Sequence, residues 1–380
     1  MTASVREPTD RLRPRAERRV VRVRCVEIGG GSPVSVQSMT NVDPCDVEAT
    51  VTQIERLVRS GCEIVRVAVP HRDAVAALRE IRARVDAPLV ADVHFDHRLA
   101  LAAIDAGIDK LRLNPGNIQN ADHIARVADA AGTAGIPIRV GANSGSLAKR
   151  FLDASGRPTA RGLADSALEE VHQLERRGFD RIVVSVKGAD VSMTVAANRR
   201  VARETDHPIH IGITEAGTAW EGGLRSAVGL GILLTEGIGD TLRVSLTGDP
   251  VAEVRTAFAI LRSLGLRQRG ITWHICPTCG RTRIDLLRLA DALQAALEDV
   301  LESLTIALMG CSVNGIGEAR DADVGVVGGD RRAAVYVEGQ QRHHAVGEDA
   351  LPSLVESEVR ALLSRRSIAG QASAGNARSV

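Results

Sequence analysis

Short β-branched runs alternate with longer Ala-, Leu- and Arg-rich segments along most of the chain. Apolar residues recur at every second position in the runs, as in strands, and at helical spacing in the segments between them. The strand-like runs lie at 34–40, 63–69, 88–95, 110–117, 137–145, 181–187, 208–217 and 241–247. Strands that alternate with helices form right-handed crossovers and a parallel sheet. Eight such units over about 230 residues predict a closed (β/α)8 TIM barrel, with a doubly wound open sheet as the alternative.

The pattern changes on both sides of residues 33–265, the predicted barrel domain. Residues 1–32 are Arg-rich and end in GGGS, which predicts a flexible lead-in. After a short linker, three further strand-like runs and two helical patterns predict a smaller α/β domain at 270–365. Residues 366–380 are small and polar, which predicts a disordered tail.

The composition narrows the class of partner. Hydrophobic residues make up 44% of the chain and charged residues 25%, and the formal net charge is +1, so nothing favours a nucleic-acid or acidic-membrane partner. No apolar run approaches the roughly 20 residues of a membrane span. The N-terminal segment carries charges where a signal peptide needs an apolar core. We therefore expect a cytoplasmic protein.

The alternation along the strands turns charged side chains toward the barrel axis. Val65, Val67 and Val69 face the helices, so Arg66 points inward. The same parity turns these polar residues inward: Gln37, Asp92, His94, Arg112, Asn114, Arg139, Asn143, Ser185, Lys187, His210, Arg243 and Ser245. A barrel interior is normally filled with Val, Ile and Leu. Because burying an unpaired charge costs several kcal/mol, an excess of about four cations predicts an open site for a polyanion such as a diphosphate.

Two features mark the carboxyl ends of the strands as the site. Barrel enzymes place catalytic groups there, and Glu215 stands at the end of the seventh strand-like run, in ITEAG. It is either a counter-ion among the cations or a general acid or base. The connection after the fifth run, ANSGSLAKRFLDASGRPTARG, is far longer than the usual connection of about 2–6 residues, which is typical of an active-site loop.

The second domain carries three cysteines with the spacing of a metal site that lacks one ligand. Cys276 and Cys279 form CPTC, and Cys311 opens the Gly-bearing loop CSVNGIGEAR. A thioredoxin-type redox pair would leave Cys311 unexplained. A structural zinc would need a fourth Cys or His, and the candidates His343 and His344 lie well past Cys311.

An iron–sulfur cluster is the third interpretation of these cysteines. Such clusters are usually held by four thiolates, but Glu318 lies seven residues after Cys311, close enough to turn back toward the same metal. A carboxylate is a harder and weaker ligand than a thiolate for this metal. A site with three Cys and one Glu would therefore have a replaceable position, as a reactive cluster needs.

Nine motifs in one register carry a resemblance to a known family. They are VQSMTN, VRVAVP, DVHF, LRLNPGN, RVGANSGSL, SVKGAD, ITEAG, CPTCGRT and GCSVNGIGEA. Together they resemble the two-domain bacterial 4-hydroxy-3-methylbut-2-enyl diphosphate synthases of the methylerythritol phosphate isoprenoid pathway. The resemblance implies a TIM barrel followed by a domain similar to the sulfite/nitrite reductase cluster domain. It also implies reductive ring opening and dehydration of 2-C-methyl-D-erythritol 2,4-cyclodiphosphate to 4-hydroxy-3-methylbut-2-enyl diphosphate.

The resemblance further implies roles for individual residues. A [4Fe-4S] cluster would be bound by Cys276, Cys279, Cys311 and Glu318, and Glu215 would be the proton donor. The residues that match the family's substrate pocket are Arg66, Arg112, Arg139, Lys187, Ser245, Asn114, Asn143, Asp92 and His94. Flavodoxin or ferredoxin would supply electrons, since no nicotinamide-binding fingerprint follows a strand here. The family forms a head-to-tail homodimer.

Two other functions fit parts of the sequence. A pterin-binding transferase similar to dihydropteroate synthase also holds a diphosphate at the strand ends of a barrel, but it needs no cysteine-bearing second domain. A zinc-stabilised interaction module fused to a barrel would leave the inward cations without a function. The iron and sulfide content of the protein distinguishes all three.

Overall fold

The computed structural model describes residues 12–94, 96–113 and 121–376, and the chain forms two compact units, residues 1–267 and 268–380. The first unit starts with an antiparallel hairpin of β1 (Val21–Val23) and β2 (Val26–Ile28). Eight parallel strands follow: β3 (Ser35–Met39), β4 (Ile64–Ala68), β5 (Leu89–Val93), β6 (Lys110–Leu113), β7 (Ile138–Asn143), β8 (Ile182–Lys187), β9 (His210–Ile211) and β10 (Thr241–Leu242). The helices of this unit are α1 (Val47–Arg59), α2 (Arg72–Arg84), α3 (His97–Asp105), α4 (Ala121–Ala134), α5 (Ala160–Glu175), α6 (Val191–Glu204), α7 (Ala219–Thr235) and α8 (Pro250–Ser263).

The eight strands close into a barrel. They pair in the order β8-β7-β6-β5-β4-β3-β10-β9, and a parallel bridge between Val184 and Ile209 joins the two ends of this series. Each strand lies within its predicted run, so the TIM barrel is confirmed and the open sheet is wrong. Val65 and Val67 lie in the apolar core shared with the helices, as the alternation predicts. None of the described helices combines the length and the apolar character needed to cross a membrane.

Local chemistry fixes where the helices of the barrel begin. The side chains of Asp46, Thr159, Asp190 and Asp249 each accept a hydrogen bond from a backbone N–H in the first turn of α1, α5, α6 and α8. Pro250 follows Asp249 at the first helical position, where its missing N–H costs nothing. Each helix start marks the end of the loop that follows the preceding strand. These loops, at the carboxyl ends of the strands, are where the site can lie.

The second unit is a mixed sheet covered by helices. Its elements are β11 (Ile271–Ile275), α9 (Leu286–Ala296), β12 (Leu304–Met309), α10 (Ser312–Asp321), β13 (Val324–Gly328), β14 (Arg332–Val337), β15 (Gln340–Gly347) and α11 (Leu351–Asn376). The strands lie in sequence order, the first three parallel and the last two antiparallel. Helices α9 and α11 bury their apolar residues in one core with these strands.

The chain termini differ from the sequence predictions. The segment 12–32, predicted to be a flexible lead-in, contains the β1–β2 hairpin, and Val23 and Ile28 pack on Ile64 and Val90 of the barrel. Helix α11 continues to Asn376, through most of the segment predicted to be a disordered tail. In both places polar composition suggested disorder. In the N-terminal segment the hairpin buries its few apolar residues, which outweighs that composition.

A buried ion pair fastens the N-terminal segment to the barrel. Arg18 is 3% exposed, its Nε lies 3.7 Å from Asp240 Oδ2, and its Nη1 donates to the carbonyl of His207 at 3.2 Å. Burial raises the pKa of Asp240 and lowers that of Arg18, because each charged form loses hydration. Each of the two buried charges therefore depends on the other to offset the free-energy cost of its burial.

We predict that Arg18→Ala lowers the free energy of unfolding by about 3 kcal/mol, because it leaves Asp240 buried with a weakened counter-charge. Arg22→Ala is the matched control, since Arg22 is 68% exposed in its pair with Glu27 and its loss should change stability by less than about 0.5 kcal/mol. Urea unfolding of the full chain, followed by circular dichroism, measures both variants. Equal effects of the two substitutions would contradict the anchoring role.

Candidate active site and candidate metal centre

One buried carboxylate, Asp92 on β5, organises the barrel interior. Its Oδ1 accepts a hydrogen bond from Arg112 Nη1 at 3.0 Å, and its Oδ2 lies 3.7 Å from Arg66 Nε. His94, half-exposed, places its Nε2 3.4 Å from the same Oδ2. Burial raises the pKa of the Asp92 carboxyl, but the charge of Arg66 and the contact with His94 outweigh it, so this pKa lies well below its usual range. Asp92 is an ionised carboxylate shared between two arginines.

Arg139 on β7 and Lys187 on β8 have no carboxylate partner within the described part of the chain. Arg139 is 2% exposed and donates through Nη1 to Ser185 Oγ at 3.2 Å, and Lys187 is 6% exposed. Burial, followed by the charges of neighbouring arginines, lowers the pKa of both groups well below its ordinary value. Cations in this state gain more from a bound anion than solvated ones do.

A glycine makes room for Lys187. A Cβ on Gly212 of the neighbouring chain segment would lie 2.7 Å from Lys187 Nζ and 2.6 Å from the backbone oxygen of Arg243. Side chains do not approach so closely, so the ammonium can occupy its position only because residue 212 has no side chain.

The structure corrects the predicted set of cations at two positions. Arg243, predicted to be an unpaired inward cation, donates from Nε and Nη2 to Glu253 of α8 at 3.0 and 2.9 Å. Lys110 is missing from the predicted set, although it lies two positions before Arg112 with the same parity and is fully buried. One cation is removed and one is added, so the excess of about four positive charges remains.

The other predicted pocket residues are placed less closely. Asn143 ends β7 in register with Lys187 on β8, and it is half-buried. Ser245 is half-buried just beyond the end of β10. Asn114 lies outside the described residues. The structure thus gathers Arg66, Asp92, His94 and Arg112 by direct contact.

Glu215 lies beyond β9 in an unusual backbone conformation. Its φ of 53° is in the left-handed region, which non-glycine residues rarely adopt. The side chain is exposed, and its Oε1 lies 3.5 Å from the point where a Cβ on Gly145 would stand. Gly145 belongs to the long connection after β7 that the sequence predicts to be an active-site loop. Strained residues of this kind concentrate at functional sites, so the conformation favours a role for this carboxylate.

In the second unit, the cysteines follow the carboxyl ends of two neighbouring parallel strands. Cys276 comes directly after β11, and its N–H donates to the carbonyl of Leu308 on β12 at 2.9 Å. Cys311 follows β12 and caps the start of α10. The CPTC loop reaches back to this point, since Arg283 N–H donates to the carbonyl of Gly310 at 2.9 Å. Cys276, Cys279 and Cys311 are all free thiols.

Glu318 lies two turns into α10 from Cys311. Its Oε2 is 3.8 Å from Nδ1 of His274, which precedes Cys276 on β11, so the carboxylate reaches the strand that leads to the CPTC loop. Within the described ranges, no group of three or more Cys, His, Asp or Glu side chains is arranged so that it could hold a metal ion. The donor set of three free thiols and one carboxylate nevertheless suits a metal centre that prefers thiolate ligands.

Family models match both units. The model described as the GcpE TIM-barrel domain matches residues 18–258, and the one described as the GcpE protein C-terminal domain matches residues 272–361. The chain belongs to the GcpE family. The 4-hydroxy-3-methylbut-2-en-1-yl diphosphate synthase (flavodoxin) of Acidithiobacillus ferrooxidans is 47% identical over 93% of this chain and 96% of its own length. The protein of the same name in Geobacter sulfurreducens is 49% identical over 93% of this chain and 99% of its own length.

Among solved structures, a dihydropteroate synthase from Yersinia pestis in a sulfonamide drug complex matches with a TM-score of 0.49 and 12% identity. The match covers 66% of this chain and 100% of that one.

For this GcpE barrel we predict that Gly212→Ala weakens the binding of inorganic pyrophosphate by about tenfold, or about 1.4 kcal/mol, because the new Cβ displaces Lys187 Nζ. Gly231→Ala is the matched control, since a Cβ on Gly231 meets nothing within 4 Å. Isothermal titration calorimetry measures the affinities, and circular dichroism checks that both variants fold. If pyrophosphate binds to both variants as to the unchanged protein, Lys187 does not depend on Gly212 for its position.

Proposed function

We propose that the chain catalyses the two-electron reductive ring opening and dehydration of 2-C-methyl-D-erythritol 2,4-cyclodiphosphate to 4-hydroxy-3-methylbut-2-enyl diphosphate. The observation that carries the proposal is the excess of buried cations around Asp92, in a barrel of the GcpE family. A cyclic diphosphate neutralises such an excess, and its phosphoryl oxygens accept charge-assisted hydrogen bonds from arginine and lysine.

The substrate's diphosphate binds to Arg66, Arg112, Arg139 and Lys187, the four cations that we name the clamp. Arg139 and Lys187 lack a carboxylate partner among the described residues, so the diphosphate is their counter-charge. Asp92 holds Arg66 and Arg112 in place before the substrate arrives. Such preorganisation lowers the entropy cost of binding. His94, Asn114, Asn143 and Ser245 complete the polar pocket by their resemblance to the family's motifs.

Glu215 is the proton donor. Its carboxyl is exposed next to Gly145 of the long β7–α5 connection, where it can meet a substrate held by the clamp. Loss of the substrate's hydroxyl as water requires a proton at the departing oxygen, and a carboxylic acid is a suitable donor. The left-handed backbone at Glu215 aims the side chain in a direction that ordinary strand geometry would not give.

A [4Fe-4S] cluster is bound by Cys276, Cys279, Cys311 and Glu318. The free thiols at the ends of β11 and β12 and the carboxylate two turns into α10 support this ligand set. When bound, the cluster supplies single electrons to the reduction. Because a carboxylate holds iron less firmly than a thiolate does, Glu318 is the replaceable ligand of the four.

Three further features complete the proposal. Flavodoxin or ferredoxin supplies the electrons, and the curated relatives carry "flavodoxin" in their names. The active form is a homodimer, as in the family that the motifs resemble. The protein works in the cytoplasm.

We predict that Glu215→Gln binds the cyclic diphosphate as tightly as the unchanged protein but turns it over about 10²- to 10⁴-fold more slowly, since it removes only the proton. Glu221→Gln, an exposed carboxylate in the first turn of α7, is the control and keeps full activity. Substrate affinity by calorimetry and turnover with a chemical one-electron reductant measure the two effects separately. Unchanged turnover in Glu215→Gln would remove the acid from the proposal.

We also predict that protein purified without oxygen contains about four irons and four sulfides per chain. Glu318→Ala keeps the iron–sulfur absorption band because the three thiolates remain, but it loses most turnover. Cys311→Ser, which removes a thiolate, lowers the iron content itself. Bound zinc with no sulfide, or full activity in Glu318→Ala, contradicts the ligand set.

A further inference from the structure

Three polar side chains below the clamp are buried but unused by the proposed reaction. Gln37 on β3 is 1% exposed, and Lys110 on β6 and His210 on β9 are 0% exposed. Lys110 Nζ, both amide atoms of Gln37 and both ring nitrogens of His210 have no hydrogen-bonding partner among the described residues. Unpartnered polar groups of this kind are rare in a folded interior and indicate a bound species.

These three residues occupy inward-facing positions of β3, β6 and β9, and we name their surroundings the floor chamber. Each lies two positions, or one inward step, before another inward position: Met39, Arg112 and Gly212. The β1–β2 hairpin covers this end of the barrel, where Val23 and Ile28 pack against strands β4 and β5. All three side chains are therefore shielded from solvent.

The electrostatic environment of the chamber is positive. The charged groups that act on Lys110 are Arg139 and Arg66, and those that act most on His210 are Lys187 and Arg139. Burial, followed by these charges, lowers the pKa of Lys110 and of His210 well below its ordinary value. The nearest strand carboxylate, Asp92, is already engaged with Arg66 and Arg112. The chamber therefore repels metal cations and attracts anions.

Lysine is rare in this chain, which makes its presence here informative. Only Lys110, Lys149 and Lys187 are lysine, against a total of 48 Lys and Arg residues. Two of the three are buried in the barrel. An ammonium is a compact point charge with three donors, whereas a guanidinium is a planar fork suited to carboxylate and phosphate. Lys110 thus offers a compact point charge that suits a small anion.

We propose that the floor chamber binds one small inorganic monoanion of halide size, held by Lys110 Nζ, the Gln37 amide and a ring N–H of His210. A water molecule brings no counter-charge, and the lowered pKa of Lys110 then favours the neutral amine. A single monoanion compensates the charge of the ammonium and so stabilises it. The site uses no residue of the clamp and exists in substrate-free protein, so its test does not depend on the proposed reaction.

The experiment uses the full chain without substrate, with chloride or bromide as the anion. Replacing chloride by gluconate at constant ionic strength should lower the Tm of the unchanged protein by about 2–4 °C, because gluconate is far larger than a halide and cannot replace it at a buried ammonium. Lys110→Met should abolish this difference and be at least as stable as the unchanged protein in gluconate. Lys149→Met is the matched control and should keep the full difference, since Lys149 lies in a short turn of the exposed β7–α5 connection.

Crystals soaked in bromide test the location directly and need no variant. An anomalous bromide peak within hydrogen-bonding distance of Lys110 Nζ supports the proposal. Water at that position, with bromide only at surface sites, overturns it even if Lys110→Met fails to fold. An equal dependence of Tm on chloride in Lys110→Met and in the unchanged protein also overturns it.

Discussion

The interior of the barrel contains more cationic side chains than carboxylates. Asp92 serves Arg66 and Arg112, and Glu253 serves Arg243, but Arg139, Lys187 and Lys110 are buried with no described carboxylate. Buried charge is costly, and a fold keeps it only where something else compensates. A bound anion supplies that compensation in the function proposed above, and it would link the stability and the chemistry of the barrel through the same side chains.

The two carboxylates that pair with barrel cations, Asp92 and Glu253, have different roles. Asp92 lies among the inward side chains, and its depressed pKa keeps it charged and attached to the arginines that face the site. Glu253 approaches from α8, outside the strand layer, and it also accepts bonds from Ser38 Oγ and from the N–H of Leu246. Arg243 is thereby a structural tie between β10 and its helix. None of the four cations of the proposed clamp has such a tie to a helix carboxylate among the described residues.

The strand pattern alone predicts the barrel and most of the inward cations, because a period of two fixes which face each side chain occupies. It does not predict Glu253, since helix residues carry no information about which strand residue they will meet. The strand pattern does not predict the pairing of Arg18 with Asp240 either, because residues more than 200 positions apart come together only through the closed fold. Lys110 is predictable from the same period, because it lies two positions before Arg112 on the inward face of β6. The left-handed φ at Glu215 could not be predicted, since glutamate has no preference for that conformation.

The candidate site of the second unit offers donors for a cation instead. Its candidate ligands are three thiols, which bind metal as thiolates, and a carboxylate on α10. The thiols lie half-buried or exposed after β11, in the CPTC loop and after β12. Glu318 is half-exposed and has a weak neighbour in His274, 3.8 Å away, rather than a tight ion pair. A carboxylate held by a strong partner would resist binding to a metal. The loose contact with His274 leaves Glu318 free to bind one, and the weakness of a carboxylate as a ligand is what would let a substrate replace it.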